Sequence, residues 1–143
     1  MDYKILSLLL QDGRKGIREI ARELNISPAT VHNRLKKLVS KGIIKGFAPI
    51  LDFSELGYQV TAIIMMSVEG TKLKEIEEEL KKIKNVIAIY DITGEFDVLI
   101  IAKFRDMKSL DYFVKELLER SEVRKTVTHI AFNVVKEDFR LPL

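Results

Sequence analysis

The stretch Leu24-Asn25-Ile26-Ser27-Pro28 constrains the fold of this chain more than any other five residues. Ser27 offers a capping oxygen, and Pro28 suits a first helical position, where its missing N–H is no loss, so a helix must begin here. Upstream, Ile17, Ile20, Ala21 and Leu24 form one apolar face opposite Arg18, Glu19, Arg22 and Glu23. A second helix therefore ends at Leu24 and leaves Asn25-Ile26 as a tight turn. Downstream, Val31, Leu35, Leu38 and Val39 fall at i, i+4, i+7 and i+8, the buried stripe of a third helix that runs to about Ser40 and stops at Lys41-Gly42. A first helix, capped by Asp2 and striped by Ile5, Leu6, Leu8 and Leu9, closes at Asp12-Gly13. Helices two and three are each too short to persist alone and need a shared core of Ile20, Leu24, Val31, Leu35 and Leu38. This is the pattern of a helix-turn-helix, followed by Ile43 to Phe47 as a small extended wing.

Beyond it the pattern changes. Asp52 to Gly57 reads as a connector, and two strand-helix-strand units follow. Tyr58 to Val68 is β-rich, Thr71 caps a helix with Leu73, Ile76, Leu80 and Ile83 inward, and Val86 to Ile92 is a second strand. Asp97 to Phe104 is a third strand, Asp106 or Met107 to Arg120 a helix built on Leu110, Phe113, Val114 and Leu117, and Val123 to Val135 a fourth strand. The fold class is α+β: a helix-turn-helix domain, winged-helix-like, over 1–50, a linker over 51–59, and a ferredoxin-like βαββαβ domain over 60–143. Strands one and three, VTAIIMMSV and VLIIAKF, are apolar on both alternating faces, whereas such a sheet carries helices on one. The second face requires another cover, most simply a partner subunit in a two-fold dimer; the alternative is the first domain folding back in cis.

Composition sets the setting. Of 143 residues, 47% are hydrophobic and 31% charged, as in ordinary globular proteins. The absence of cysteine removes disulfides and thiolate metal sites and suits the cytoplasm. The opening MDYKILSLLLQDGR is not the pattern of a signal peptide, and Val60 to Val68 is far shorter than the roughly 20 residues of a membrane span, so no membrane association is expected. Charge is uneven: residues 1–52 hold ten Lys/Arg and five Asp/Glu, a net +5, and the remainder fourteen and sixteen, a net −2.

Within Arg14 to Lys45, nine basic residues face two acidic ones. Such a face is either merely solvated or meant for a polyanion, and beside the turn and cap it points to double-stranded DNA. Arg14, Arg18, Arg22, Lys41 and Lys45 are candidates for phosphate contacts, joined by Ser27 and the amides that follow it and Pro28. Ala29, Thr30 and Asn33, flanked by His32, occupy the start of the recognition helix, which enters a groove deepest; Asn pairs with adenine and the methyls suit thymine. Lys36 and Lys37, a turn later, reach guanine or phosphate. Arg34, at the edge of the apolar stripe, either joins them or braces the fold by pairing with Glu19 or Glu23.

In the second domain, Thr93-Gly94-Glu95-Phe96-Asp97 joins two strands. It reads first as a hairpin turn in which Gly94 supplies a backbone angle and Asp97 an Asx-type hydrogen bond. The loop also suits an α-amino acid, since its amides can meet a carboxylate and Glu95 or Asp97 an ammonium. Thr126 and Thr128 on the last strand are placed to line the same site. His32 and His129 lie in different domains with no metal-ligand spacing, so neither a metal, a cofactor nor a catalytic centre is expected. KLKEIEEELKKIK reads as an exposed helix face with i, i+4 pairs.

Asp2 to Arg14, Ile20 to Ser27, Val31 to Leu38, Lys41 to Phe47 and LDFSELG at 51–57, followed by TGEFD at 93–97 and VRKTVTHIAFNVVK at 123–136, resemble the Lrp/AsnC family of transcription regulators over essentially the whole chain. The resemblance implies a DNA-binding regulator that dimerises, often as far as octamers, through its βαββαβ domain. It also implies a small effector, usually an amino acid, near the G-x-x-D loop. The chain starts at Met1-Asp2, so a DNA-contacting arm ahead of the first helix is not expected. Two other readings share parts of the evidence: a decarboxylase of the sirohaem type resembling this family, which His129 alone supports poorly, and an architectural DNA-binding protein without sequence preference.

Overall fold

A computed structural model describes residues 1–143, which form two compact units: Met1–Leu51 with Glu137–Leu143, and Asp52–Lys136. The last seven residues thus associate with the helical unit, whereas the sequence pattern had continued the second domain to residue 143. Residues 52–59 belong to the sheet-bearing unit and are ordered within it rather than forming a free linker. Asp52 Oδ1 accepts from the Ser54 backbone N–H at 3.0 Å and from the Ser54 hydroxyl at 2.7 Å, and the Gln59 amide donates to the Ser54 carbonyl at 2.8 Å.

The first unit holds α1 (Asp2–Gln11), α2 (Ile17–Leu24) and α3 (Pro28–Ser40). Ile5, Ile20, Ala21 and Val31 form its buried centre, with Leu8, Leu9, Ile17, Leu24, Ile26 and Leu35 packed around them. Val39 was expected in the buried stripe but is 53% exposed. At i+8 from Val31 it has rotated past the edge of a narrow contact that Leu38 completes. Asn25 takes the left-handed conformation that ends α2 (φ 52°, ψ 49°), a geometry its short polar side chain tolerates, and this makes the tight turn. Asp2 does not cap α1: Met1 holds that position, and the Asp2 carboxylate accepts from Arg34 instead. The residues after α3 form no strand; the Ile43 and Ile44 amides both donate to the Leu38 carbonyl, at 3.0 and 3.2 Å, so the expected wing is a loop folded on the helix end.

The second unit is an antiparallel sheet of β1 (Val60–Val68), β2 (Val86–Asp91), β3 (Val98–Phe104) and β4 (Val123–Ile130) in the order β2-β3-β1-β4, with α4 (Leu73–Leu80) and α5 (Met107–Leu118) supplying the βαββαβ connections. Asp106 Oδ1 caps α5 by accepting from the Ser109 amide at 2.7 Å. Thr71 does not cap α4; it lies in a 3₁₀ turn, Gly70–Lys72, that precedes it. The fourth strand ends at Ile130 rather than Val135, where pairing with β1 runs out at Ala62.

Register decides the two faces. Ala62, Ile64 and Met66 of β1 lie opposite Ala102, Ile100 and Val98 of β3, and all six are buried with Ile76, Leu80, Leu110, Phe113 and Leu117 of the helices. The other row, Ile63, Met65, Leu99, Ile101 and Val127, is half-buried and has no helix over it. At one end of that row Lys103, 6% exposed, donates to the Thr61 hydroxyl at 3.0 Å. On the helical side, Glu77 has a buried carboxylate oxygen without a hydrogen-bond partner, and the Asp91 carboxyl beside it, with desolvation, pushes the Glu77 pKa up.

Candidate DNA interface and effector site

Helix α3 begins where the sequence requires. Ser27 Oγ accepts from the Thr30 amide at 3.0 Å and lies 2.7 Å from the Thr30 hydroxyl, with Pro28 in the first turn. This fixes the axial position of the helix to within a residue, and with it the row that faces outward. Ala29, His32, Asn33, Lys36 and Lys37 are all exposed on that helix. Thr30 is half-buried, and its hydroxyl is shared with the cap.

Arg34 parts from the interface group. Its Nη1 donates to Asp2 Oδ1 at 2.8 Å, so it braces α3 against α1, although the partner is Asp2 and neither Glu19 nor Glu23. Glu23 instead takes Lys15 at 2.6 Å. Arg14, Arg18, Arg22, Lys41 and Lys45 are exposed, as phosphate contacts must be. The first unit thus combines a capped helix bearing exposed Asn and Lys with cations on the flanking elements. That arrangement can read base edges while neutralising the backbone on either side.

The 93–97 loop is a hairpin connection between β2 and β3 in which Gly94 has φ +107°, a conformation that favours glycine. Asp97 serves the sheet rather than an Asx turn. Its Oδ2 accepts from the Val68 amide at 2.8 Å, its own N–H donates to the Met66 carbonyl at 2.8 Å, and it is half-buried. Thr93 and Glu95 are exposed. Lys125 of β4 joins this loop: its ammonium lies 3.4 Å from Glu95 and 5.4 Å from the centre of the Phe96 ring.

Lys125 was not among the sequence-based candidates. Only the pairing of β4 with β1, which sets Lys125 opposite Ser67, reveals it. The same register separates Thr126 and Thr128 from it. They lie opposite Met66 and Ile64 and share the helix-covered face, while Lys125, Val127 and His129 occupy the other. Glu95, Phe96 and Lys125 therefore converge, and the two threonines do not join them. No group of three or more His, Cys, Asp or Glu side chains is disposed to hold a metal ion, and no helix is long and apolar enough to cross a membrane.

Two family models match the chain: a winged helix-turn-helix DNA-binding model over residues 1–45 and the Lrp/AsnC ligand-binding domain over residues 61–141. An HTH-type transcriptional regulator of Pyrococcus furiosus is 48% identical over 141 residues, 99% of this chain and 95% of that protein. Another, from Methanocaldococcus jannaschii, is 41% identical over 116 residues, 81% of this chain and 78% of its own. Among solved structures, a transcriptional regulator of Neisseria meningitidis in complex with L-Met superimposes with a TM-score of 0.89 at 28% identity, covering 99% of this chain and 94% of that one. With its capped recognition helix on one unit and its βαββαβ sheet on the other, the chain belongs to the Lrp/AsnC family of DNA-binding transcription regulators.

Proposed function

We propose that this regulator is sequence-specific and reads DNA through the start of α3, with Ala29, Asn33 and the Thr30 methyl at the base edges, His32 beside them, and Lys36 and Lys37 at guanine or phosphate. Arg14, Arg18, Arg22, Lys41 and Lys45 fix the register on the backbone, and Ser27 with the Pro28 turn presents the helix amides to a phosphate. The observation that carries the reading is the exposed row of α3 set in place by the Ser27 cap. Binding to the chain's own upstream DNA and to a scrambled fragment of equal length, at two salt concentrations, tests it. A preference that survives the higher salt is expected. Equal binding that fades together would overturn it in favour of an architectural protein.

The second domain binds an amino acid at the 93–97 loop, with Lys125 taking its carboxylate and Glu95 its ammonium. The solved relative carrying L-Met supports this class of effector, and the Glu95–Lys125 pair supplies both charges. The uncovered row of Ile63, Met65, Leu99, Ile101 and Val127 seats a second copy, which gives a homodimer and, by further assembly, an octamer. Effector binding favours one assembly over another and so changes the spacing of recognition helices. The protein acts in the cytoplasm as a regulator and not as an enzyme, and this mechanism calls for no cofactor. Incubation with sirohaem, followed by absorbance, tests the enzymatic alternative.

A further inference from the structure

Helix α1 ends with no basic residue in its last turn. The Leu10 carbonyl is among those that no intrahelical amide reaches. The Arg14 amide, which would reach it if the helix continued, donates instead to Asp12 Oδ1 at 2.9 Å. The vacancy is filled from far along the chain, where Arg140 Nη1 donates to the Leu10 carbonyl at 3.3 Å.

Arg140 arrives already aimed. Its Nε and Nη2 hold the two carboxylate oxygens of Asp138 at 3.0 and 2.9 Å, and its backbone N–H closes a local turn on Asp138 Oδ1 at 3.0 Å. The fork fixes the plane of the guanidinium and leaves Nη1 directed at the helix end. A cation there also meets the negative pole of the helix dipole. Arg140 borders a groove of about 690 Å³ between α1 and the loop after α3, lined by Leu6, Leu9, Ile43 and Phe47.

We infer that the carboxyl end of α1 is a docking site for the chain's own last seven residues, with Arg140 as the cap and Asp138 as the residue that aims it. The chain consequently passes between its two units twice, at 51–52 and at 136–137. The inference goes beyond the regulatory reading and stands whether or not an amino acid binds.

Trypsin provides the test, because Arg140 must release Leu10 and Asp138 before it can enter the protease. Cleavage after Arg140 in the full chain is compared with cleavage of a free peptide of residues 131–143, for the natural sequence and for Asp138→Ala in each. The full chain should be cut about two- to five-fold more slowly than its own peptide, and Asp138→Ala should remove that protection. Hydrogen exchange reads the other partner: Arg140→Gln should speed exchange in the last turn of α1 by a similar factor while amides in α3 keep their rates. Both substitutions lie at exposed positions, so the folded chain remains available for measurement. Equal cleavage of chain and peptide, or an unchanged α1 in Arg140→Gln, overturns the inference.

Discussion

Arg34 on the recognition helix donates to Asp2 at the start of α1 across 2.8 Å, joining residues 32 positions apart. This hydrogen bond holds the Asp2 carboxyl below its ordinary value of 3.8. A depressed carboxylate contributes stability that is complete above the unfolded value and disappears as pH falls through the folded one. Near neutral pH, Asp2→Asn should therefore melt below the natural protein, and the gap should close below about pH 4 and shrink in high salt. Thermal melts across that range check it; a gap independent of pH would show that the pair does not act through charge.

Base reading and backbone contact separate by substitution. Asn33→Ala should lose about 1–3 kcal/mol of discrimination between a cognate site and one altered at the contacted base. Arg18→Ala should weaken binding to all sequences alike and lower the logarithmic salt slope by about one. Titrations on both sites at several salt concentrations decide; full discrimination by the Asn33 variant would remove that residue from the reading surface.

The cap at Ser27 carries a stability effect that needs no DNA. Ser27→Ala should cost the helical unit about 1 kcal/mol, and Ser27→Asp should restore most of it by offering an equivalent acceptor. Denaturant unfolding of the full chain measures both.

The Glu77–Asp91 contact has the opposite pH sign from the Asp2 pair. The neighbouring Asp91 carboxyl and desolvation raise the Glu77 pKa above 4.5, so the stability of this contact is present below that value and is lost as pH rises through the folded one. Glu77→Gln keeps the shape and removes the titration. The variant should melt above the natural protein near neutral pH, with the difference fading in acid. A variant less stable at every pH would mean that the side chain is held by contacts other than this one.

Lys125→Gln should reduce the response of DNA binding to an added amino acid about ten-fold in effector concentration while leaving binding without effector unchanged. An unaltered response would move the carboxylate partner elsewhere in the domain.

The first unit was legible because its determinants are local. Ser27, Pro28 and Asn25 act within a few residues of themselves, and each does in the structure what its chemistry required. Asp2 was misread for the same reason: a carboxylate at a helix start looks like a cap until a guanidinium from another helix claims it. In the second unit, alternation showed that β1 and β3 are apolar on both faces, yet the pairing of β4 came from tertiary register. A one-residue difference in parity decides whether Thr126 or Lys125 faces the loop, and no local signal carries that parity. The same limit hid Arg140, whose partner is 130 positions away.

Where the chain enters its sheet, Gly57 adopts φ +93°, and a β-carbon there would stand 2.7 Å from Arg105 Nη1. The Arg105 guanidinium lies 4.5 Å from the centre of the Tyr58 ring and donates to the Leu56 carbonyl at 3.2 Å. The stretch that composition marked as a leash is a bracket pinned to the end of β3 through Arg105. A methyl group at position 57 would press on that guanidinium in a backbone conformation that side chains avoid, so the stretch tolerates change in its sequence far less than a free leash would.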